Sequence, residues 1–227
     1  MVQPPRTPVP VSEQVITLGK SVEGREIVIH IFGEGTGGTL IIGAIHGNEP
    51  TSASVAEDLI ARLRNQKDGG ERVAIIPAAN PDGLARGLRT NKNLVDLNRN
   101  FPAANWAKTR KGVNFGGQRP ASEPETAAIL KAFASFKPAR VVSIHSMEKP
   151  CNNYDGPAKS LAEAMSKCNG YAVKENIGYP TPGSLGSWAG IDREIPIVTL
   201  ELSHSMSGEN AWQENRAALM EVIAGQR

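Results

Sequence analysis

The sequence lacks the features that mark disulfide-rich, membrane-spanning and nucleic-acid-binding proteins. Only two of its 227 residues are cysteines, Cys151 and Cys168, and two cysteines do not make a disulfide framework. No apolar run reaches the length of about eighteen residues that a membrane-spanning helix needs. The 25 lysines and arginines are nearly balanced by 23 aspartates and glutamates, so there is no basic stripe for nucleic acid. We therefore expect free thiols, no membrane span and no nucleic-acid partner.

The composition instead fits one globular domain. Hydrophobic residues make up 40% of the chain and charged residues 21%, as in soluble domains, and the length suits a single α/β domain. Residues 1–12 are rich in proline and lack the apolar segment of a secretory signal. We predict an extended arm over residues 1–12, one domain over residues 13–227 and a cytoplasmic location.

Hydrophobic periodicity predicts alternating strands and helices. The predicted strands are 14–18, 26–32, 39–45, 72–77, 141–145 and 195–201. The predicted helices are 52–64, 122–136, 157–168, 184–192 and 210–223. This order indicates an α/β fold with a mixed, largely parallel central sheet flanked by helices. Residues 103–121 form the longest irregular stretch and are expected to rim a site.

Three of the predicted strands end on residues that bind metals or transfer protons. His46 and Glu49 follow the first of these strands, His145 closes the second, and Glu201 closes the third. His-x-x-Glu alone is a weak signal, because it often forms only a hydrogen-bonded turn. Nitrogen and carboxylate donors from neighbouring strand ends nevertheless suit a catalytic Zn²⁺, which needs three protein ligands and an open position.

The segment from residue 80 to residue 102 adds concentrated charge in an ordered loop. It begins with the turn formers Asn-Pro-Asp-Gly and carries Arg89, Asp96 and Arg99. The planar guanidinium of Arg99 suits two-point capture of a carboxylate. Arg89 is placed to supply positive charge where an oxyanion develops. Surface salt bridges are the alternative explanation for each arginine.

Taken together, these residues resemble the zinc carboxypeptidase (funnelin) family from about residue 14 to residue 205. The resemblance rests on His46-x-x-Glu49, Asn80-Pro-Asp-Gly83, Arg89, Asp96-Leu-Asn98-Arg99-Asn100-Phe101, His145 and Glu201. It implies zinc ligation by His46, Glu49 and His145, a general base at Glu201, carbonyl polarisation by Arg89 and a carboxylate grip by Asn98 and Arg99. Asp96 would accept the second ring N–H of a ligand histidine, His46. The mobile tyrosine of large carboxypeptidases has its nearest counterpart, by position, in Tyr179.

Residues 153–157 and 179–187 resemble a narrower group, the bacterial murein tripeptide amidase branch of that family. Members of this branch cut the γ-D-glutamyl–meso-diaminopimelate bond of peptidoglycan stem peptides. Diaminopimelate has a second amino-acid centre, so a specific pocket needs an acid for its distal ammonium. Asp155 is the candidate for this acid, and an ordinary Asp-Gly turn is the alternative explanation. The turn at Ser184, which also opens a helix, would bind the distal carboxylate.

The sequence therefore predicts an enzyme that removes a C-terminal residue by amide hydrolysis with one Zn²⁺ per chain. A small peptide, expected to be a peptidoglycan stem peptide, is its partner. Two other enzymes remain open as alternatives: a general metallocarboxypeptidase and an N-acyl amino acid deacylase of the aspartoacylase or succinylglutamate desuccinylase kind. A catalytically silent peptidoglycan-fragment binder is disfavoured, because every ligand and the base are present.

Overall fold

The fold is built on one eight-stranded sheet, seen in a computed structural model that describes residues 12–66 and 71–225. Its strands are β1 Glu13–Lys20, β2 Glu26–Phe32, β3 Thr39–Ile42, β4 Val73–Ile76, β5 Arg140–Met147, β6 Cys151–Asp155, β7 Ala172–Lys174 and β8 Ile197–Ser203. The order across the sheet is β1-β2-β4-β3-β5-β8-β6-β7. The predicted arm lies, except for its last residue, outside the described residues.

The four central strands β4, β3, β5 and β8 are parallel, as the alternation of strands and helices predicts. Antiparallel pairing brings β2 onto β4 and β6 onto β8, and β7 then continues beside β6 in parallel. The predicted α/β class with a mixed, largely parallel sheet is thereby confirmed.

Helices cover both faces of the sheet. They are α1 Pro50–Arg64, α2 Pro81–Arg86, α3 Pro124–Phe136, α4 Lys159–Asn169 and α5 Gly208–Ala224, with a π-helical segment over Gly186–Ile191. One apolar core joins α1, α4 and α5 to one face, and a second core joins α3 and the π-helical segment to the other. Successive strand residues serve opposite cores, as Ile41 and Ile42 do, because side chains alternate across a strand. Among the described residues, no helix is both long and apolar enough to cross a bilayer.

Several boundaries differ from those predicted. Strand β3 ends at Ile42, because Ala44 adopts a φ of 47° and turns the chain out of the sheet toward His46. Strand β6 was not predicted: its sequence Cys-Asn-Asn-Tyr-Asp is polar, and its pairing with β8 depends on a partner about fifty residues away. Strand β7 and the short helix α2 also lack a clear periodic signal and were not predicted.

Candidate active site

The site forms where three parallel strands end side by side. His145 on β5 is the register partner of Glu201 on β8. His46 lies four residues beyond the end of β3, and β3 pairs with β5 on the side opposite to β8. Glu49 immediately precedes α1, whose first residue is Pro50. The sheet topology thus brings together four residues that are up to 155 positions apart in the sequence.

Three of these residues form a tight cluster of metal-competent atoms. The Nδ1 atom of His46 is 2.8 Å from Oε1 of Glu49, and the Nδ1 atom of His145 is 3.0 Å from Oε2 of the same carboxylate. The two Nδ1 atoms are 3.1 Å apart. Such separations are close to the roughly 3.3 Å between ligands that share one tetrahedral zinc with bonds of about 2.0–2.1 Å. The donor set, two imidazoles and one carboxylate, therefore fits zinc.

Burial and close contacts perturb the titration of this cluster. Burial raises the pKa of Glu49, but the charge and hydrogen bond of His145 and those of His46 outweigh it and hold the pKa well below its usual range. For His46, burial lowers the pKa, whereas hydrogen bonds with Asp96 and Glu49 raise it, and the net shift is upward. The carboxylate of Glu49 is thus ionised and ready to act as a ligand at neutral pH.

Asp96 orients both His46 and Arg89. Its Oδ1 atom is 3.1 Å from Nε2 of His46, the ring nitrogen that faces away from Glu49. Its Oδ2 atom accepts hydrogen bonds of 3.0 and 2.9 Å from Nε and Nη2 of Arg89. Burial raises the pKa of Asp96, yet the hydrogen bond and charge of His46 and the two arginines lower it well below its usual range. The geometry agrees with the predicted contact between Asp96 and His46, which fixes the tautomer with Nδ1 free to bind a metal.

Arg89 keeps one guanidinium nitrogen directed at the cleft. Its Nη1 atom lies 3.9 Å from Oε1 of Glu49, while Nε and Nη2 are held by Asp96. Arg89 therefore presents a fixed positive charge beside the metal-competent cluster, where an oxyanion would develop.

Asn98 and Arg99 follow Asp96 in a short 3₁₀ turn, Leu97–Arg99, that Asp96 caps through the N–H of Asn98. The side-chain oxygen of Asn98 accepts from the N–H of Leu185 at 2.9 Å, which leaves its amide N–H groups for another acceptor. Arg99 is only 6% exposed and, among the described residues, no carboxylate lies within ion-pairing distance of its guanidinium. Burial accordingly lowers its pKa. Its Nη1 donates to the carbonyl of Asn98 at 2.7 Å, and a buried guanidinium without a directly paired carboxylate is suited to bind an anion.

Glu201 is 8% exposed and faces the same cleft. Burial raises the pKa of Glu201, and the carboxylate of Glu49 adds to this effect, while the charges of His145, His46 and Arg89 oppose it. The net upward shift makes Glu201 more basic than an ordinary glutamate. Such a shift is typical of a general base.

The cleft also contains residues that were not predicted as site residues. It is lined by His46, Glu49, Arg89, Asn98, Arg99, His145, Ser146, Met147, Ile177, Tyr179, Thr181 and Glu201. Tyr179 is 54% exposed at its edge, which places the candidate mobile tyrosine beside the site. Ser146, Met147 and Ile177 carry no sequence signal of their own, although Ser146 and Met147 directly follow His145, whereas Thr181 lies in the stretch 179–187 that the resemblance singled out.

Asp155 and Ser184 are not among the cleft-lining residues. The hydroxyl of Ser184 is buried and accepts from the N–H of Ser187 at 3.0 Å, within the turn that begins the π-helical segment. The structure thus uses this hydroxyl inside the turn, and its contact with substrate stays a prediction. Asp155, at the end of β6, packs its carboxylate directly against Gly186, where any Cβ atom would collide with it.

Strand register links Asp155 to the cleft. In the β6–β8 pair, Cys151 faces Glu201, Asn153 faces Thr199 and Asp155 faces Ile197. Paired residues and every second residue share one face of a sheet, so Asp155 lies on the same face as Glu201. Among the described residues, no hydrogen bond or ion pair reaches the Asp155 carboxylate, and burial raises its pKa to about 6.

The remaining histidines, the cysteines and the loop at 103–121 lie outside the cluster of metal-competent atoms. His30 pairs with Glu13 on β1 at 2.8 Å, and His204 contacts the hydroxyl of Ser146 at 2.9 Å. Burial raises the pKa of the Cys151 thiol to about 11, so it remains protonated. The predicted rim stretch contributes no cleft-lining residue within the described chain, but Asn105 accepts from the N–H of Gly183 and so supports the turn beside the cleft.

Comparison with known proteins identifies the class to which this fold and site belong. The zinc carboxypeptidase family matches residues 9–176, and the chain belongs to this family. It is therefore an enzyme of the metallopeptidase type, as the sequence predicts.

Within this family, the chain is similar to murein peptide amidases. The chain is 37% identical over 183 residues to murein peptide amidase A of Escherichia coli (strain K12), covering 75% of this chain and 73% of that protein. Identity to murein peptide amidase A of Vibrio campbellii is 33% over 176 residues, with coverages of 72% and 68%. The crystal structure of the murein-tripeptide amidase of Escherichia coli O157 superposes with a TM-score of 0.79 at 29% identity, over 94% of this chain and 92% of that one. Carboxypeptidase A of Helicoverpa armigera shares the fold, with a TM-score of 0.81 at 20% identity over 92% of this chain and 67% of that one.

Proposed function

We propose that this protein is a zinc-dependent murein peptide amidase that cleaves the γ-D-glutamyl–meso-diaminopimelate bond, with one Zn²⁺ per chain. The similarity to murein peptide amidases supports this proposal. The observation that carries it is a pair of opposite charges that have no ion-pair partner among the described residues, the cation of Arg99 and the carboxylate of Asp155. A C-terminal diaminopimelate residue offers the complement of both, an α-carboxylate and a distal ammonium.

A short path of contacts joins the two charges. Asn98, next to Arg99, accepts from the N–H of Leu185. Leu185 precedes Gly186, and the missing side chain of Gly186 gives the space in which the Asp155 carboxylate lies. A substrate residue held by its α-carboxylate at Arg99 thus extends its side chain along the face that leads to Asp155.

His46, Glu49 and His145 would hold the zinc ion, which when bound lowers the pKa of water and polarises a carbonyl group. Glu201 takes the proton from the attacking water and then donates it to the leaving amine of diaminopimelate. Arg89 stabilises the negative charge that develops on the carbonyl oxygen through its free Nη1. Asn98 and Arg99 hold the α-carboxylate, so that only the last bond of the peptide reaches Glu201.

The test compares three substrates with the same L-Ala-γ-D-Glu part and either meso-diaminopimelate, L-lysine or L-leucine at the C-terminus. Products are identified by mass spectrometry with zinc-loaded protein and with a chelator-treated control. We expect zinc-dependent release of diaminopimelate and much slower release of leucine. Equal release of diaminopimelate and lysine, with leucine slow, would show that the site selects any side-chain ammonium group and not diaminopimelate itself. Equal rates for all three would contradict a role for Asp155 in specificity.

We also propose a cytoplasmic location and a role in processing free murein peptides. The exposed thiol of Cys168 is unpaired among the described residues, and free surface thiols persist best in reducing compartments. Fractionation of cells that express the full chain from its own gene tests the location, and recovery outside the cytoplasm would contradict it.

A further inference from the structure

Two buried asparagines, Asn91 and Asn100, attach the segment 89–100 to the start of α3 by side-chain hydrogen bonds. This segment carries Arg89 at its start and Asp96, Asn98 and Arg99 near its end. Asn91 is 1% exposed and Asn100 is fully buried. The proposed function uses neither residue.

Asn91 shapes the loop between Arg89 and Asp96. Its side-chain oxygen accepts from the N–H groups of Asn93 and Val95 at 3.0 and 3.1 Å. Its backbone N–H donates to the carbonyl of Val95 at 3.0 Å and closes the loop. Its side-chain nitrogen donates both hydrogens outward, to the carboxylates of Glu123 at 2.8 Å and Glu125 at 2.9 Å.

Asn100, at the end of the segment, also bonds to Glu123. Its side-chain oxygen accepts from the N–H of Glu123 at 3.2 Å. Its side-chain nitrogen lies 3.0 Å from the hydroxyl of Ser122, which itself donates to the Glu123 carboxylate at 2.6 Å. The same nitrogen also lies within hydrogen-bonding distance of the carbonyls of Gly116 and Arg119.

Glu123 is therefore the junction of the two asparagines. It directly precedes α3 and is 5% exposed. One of its carboxylate oxygens accepts from Asn91 and Asn93 and the other from Ser122, while its N–H bonds to Asn100. Among the described residues, no lysine, arginine or histidine pairs with it, so three neutral donors satisfy this buried carboxylate, two of them from the segment 89–100 and the third the neighbouring Ser122. A buried acid satisfied in this way loses much free energy if those donors move.

We propose that Glu123 is a positioning residue for both halves of the active site. It acts through Asn91 on Arg89 and Asp96, and thereby on His46, and through Asn100 on Asn98 and Arg99. The α3 terminus thus sets the distance between the groups at the metal-competent cluster and the groups that hold the substrate carboxylate. The roles of these four groups rest on the proposed function, whereas their anchoring at Glu123 does not.

The test separates the two halves with two variants. Asn91→Ala releases the loop that holds Asp96, so we expect zinc affinity to fall by about tenfold or more, as for other changes behind a ligand histidine, together with a lower kcat. Asn100→Ala releases the carboxylate-binding end, so we expect KM to rise by about tenfold for a substrate with a free C-terminus while zinc affinity stays constant. A general loss of folding would lower the active fraction in both variants and shift neither parameter selectively.

Glu123→Ala should change both zinc affinity and KM, and Glu123→Gln should restore part of each, because glutamine keeps an acceptor for Asn91 and Asn93. If Glu123→Ala does not fold, Asn93→Ala takes its place, since Asn93 is exposed and donates to Glu123 at 2.8 Å. That variant should speed amide hydrogen exchange in residues 89–96. The matched control is Lys92→Ala in the same loop, which removes only a surface ion pair with Glu23 and should change none of these readouts.

The proposal would be overturned if Asn91→Ala and Asn100→Ala changed zinc affinity and KM by the same factors. It would also be overturned if neither Asn91→Ala nor Asn93→Ala changed zinc affinity or hydrogen exchange. Zinc affinity and hydrogen exchange need no substrate. They therefore decide the anchoring role even if the diaminopimelate peptide is not hydrolysed, and failure of the proposed function remains distinguishable from failure of this inference.

Discussion

At the scale of single residues, Arg99 and Asp155 carry charges that have no ion-pair partner among the described residues. Burial shifts the pKa of Glu201, Arg99 and Asp155 in the direction that disfavours the charged form of each side chain. Under the proposed function, Arg99 and Asp155 gain their partners from the substrate. The next predictions test these residues one at a time.

Replacing Glu201 with glutamine should stop turnover without loss of zinc. The amide has the same shape but cannot accept a proton from water, and general acid–base catalysis contributes about 10²–10⁴-fold in rate. We expect kcat to fall by at least that factor while the zinc content measured by mass spectrometry stays at the wild-type level. A variant that retains near wild-type turnover would show that another group is the base.

Replacing Arg99 with alanine should affect only substrates with a free α-carboxylate. Removing this buried cation takes away a charge-assisted pair worth about 1.5–3 kcal/mol, which corresponds to a rise in KM of about tenfold or more. A substrate with an amidated C-terminus supplies the internal control, because it has no carboxylate to lose. Equal effects on both substrates, measured by steady-state kinetics, would contradict the assigned contact.

Asp155 should show a conflict between stability and specificity that depends on pH. Its folded pKa of about 6 lies above the ordinary aspartate value of 3.8, so the native state holds the proton more tightly than the unfolded chain. Folding stability contributed by this group is therefore present at low pH and is lost as the pH rises from about 4 to about 6. We expect Asp155→Asn to raise the free energy of unfolding at neutral pH by about 1–3 kcal/mol, with the gain shrinking toward about pH 4 in urea titrations.

Ionisation of Asp155, which lowers stability as the pH rises, should strengthen substrate binding over the same pH range. Only the ionised carboxylate attracts an ammonium group, so KM for the diaminopimelate peptide should fall as the pH rises through about 6. Asp155→Asn should flatten this dependence. A leucine-terminated peptide, which has no distal ammonium, is the control and should show no such component in its KM.

At the scale of elements, close backbone packing holds the ligand loop in place. Gly47, between His46 and Glu49, approaches the backbone of Gly83 and Leu84 in α2 so closely that a Cβ atom would overlap it. Asn80 caps α2 by accepting from the N–H of Gly83 at 2.9 Å and also donates to the carbonyl of Ile45. The Asn80-Pro-Asp-Gly turn is therefore a support for the metal-competent loop.

Replacing Gly47 with alanine should disturb this support. The added methyl group meets backbone atoms, which cannot move aside as a flexible side chain can, and overpacking of this kind costs about 1–3 kcal/mol. We expect a lower melting temperature together with weaker zinc binding, measured by thermal unfolding and by competition with a chelator. Gly112→Ala is the matched control, since nothing lies within 4 Å of its Cβ position; a comparable loss there would refute the packing explanation.

At the scale of the whole molecule, the mixed sheet places chemistry at one edge and specificity beside it. The parallel strands β3, β5 and β8 deliver His46, His145 and Glu201 at their carboxyl ends, where α/β sheets bind ligands. The antiparallel strand β6 then runs back from the site and carries Asp155 away from Glu201 on the same face. The reversed strand β6 thus places Asp155 on the face of the sheet that carries Glu201.

Removal of zinc should lower the stability of the whole domain. An ion that binds only the native arrangement stabilises it by mass action, by about 2.7 kcal/mol when the free ion is at a hundred times its dissociation constant. We expect chelator treatment to lower the melting temperature by several degrees and zinc to restore it, as followed by calorimetry. Glu49→Gln, which removes the only carboxylate among the three metal-competent donors, should make the melting temperature insensitive to zinc. Retention of the full zinc effect in that variant would contradict the assigned ligand set.

Local sequence patterns are enough to predict the four parallel strands at the centre of the sheet and the residues of the metal-competent cluster. Apolar runs such as 39–45 and 141–145 predict buried strands, and His46-x-x-Glu49 carries two donors within one short loop. Proximity of Asp96 to His46 was also predicted, and the structure gives 3.1 Å between Oδ1 and Nε2. The roles of these residues in catalysis stay predictions that the variants above test.

The residues that surround these groups are set by long-range packing and could not be predicted from local patterns. Strand β6 has a polar sequence and exists because β8 pairs with it, so the position of Asp155 beside Gly186 follows from register and close packing. The convergence of Asn91 and Asn100 on Glu123 joins residues up to 32 positions apart through side-chain hydrogen bonds. Neither the β6–β8 pairing nor the hydrogen bonds to Glu123 produces a periodic pattern in the sequence. Both depend on how distant elements pack together and not on the order of neighbouring residues.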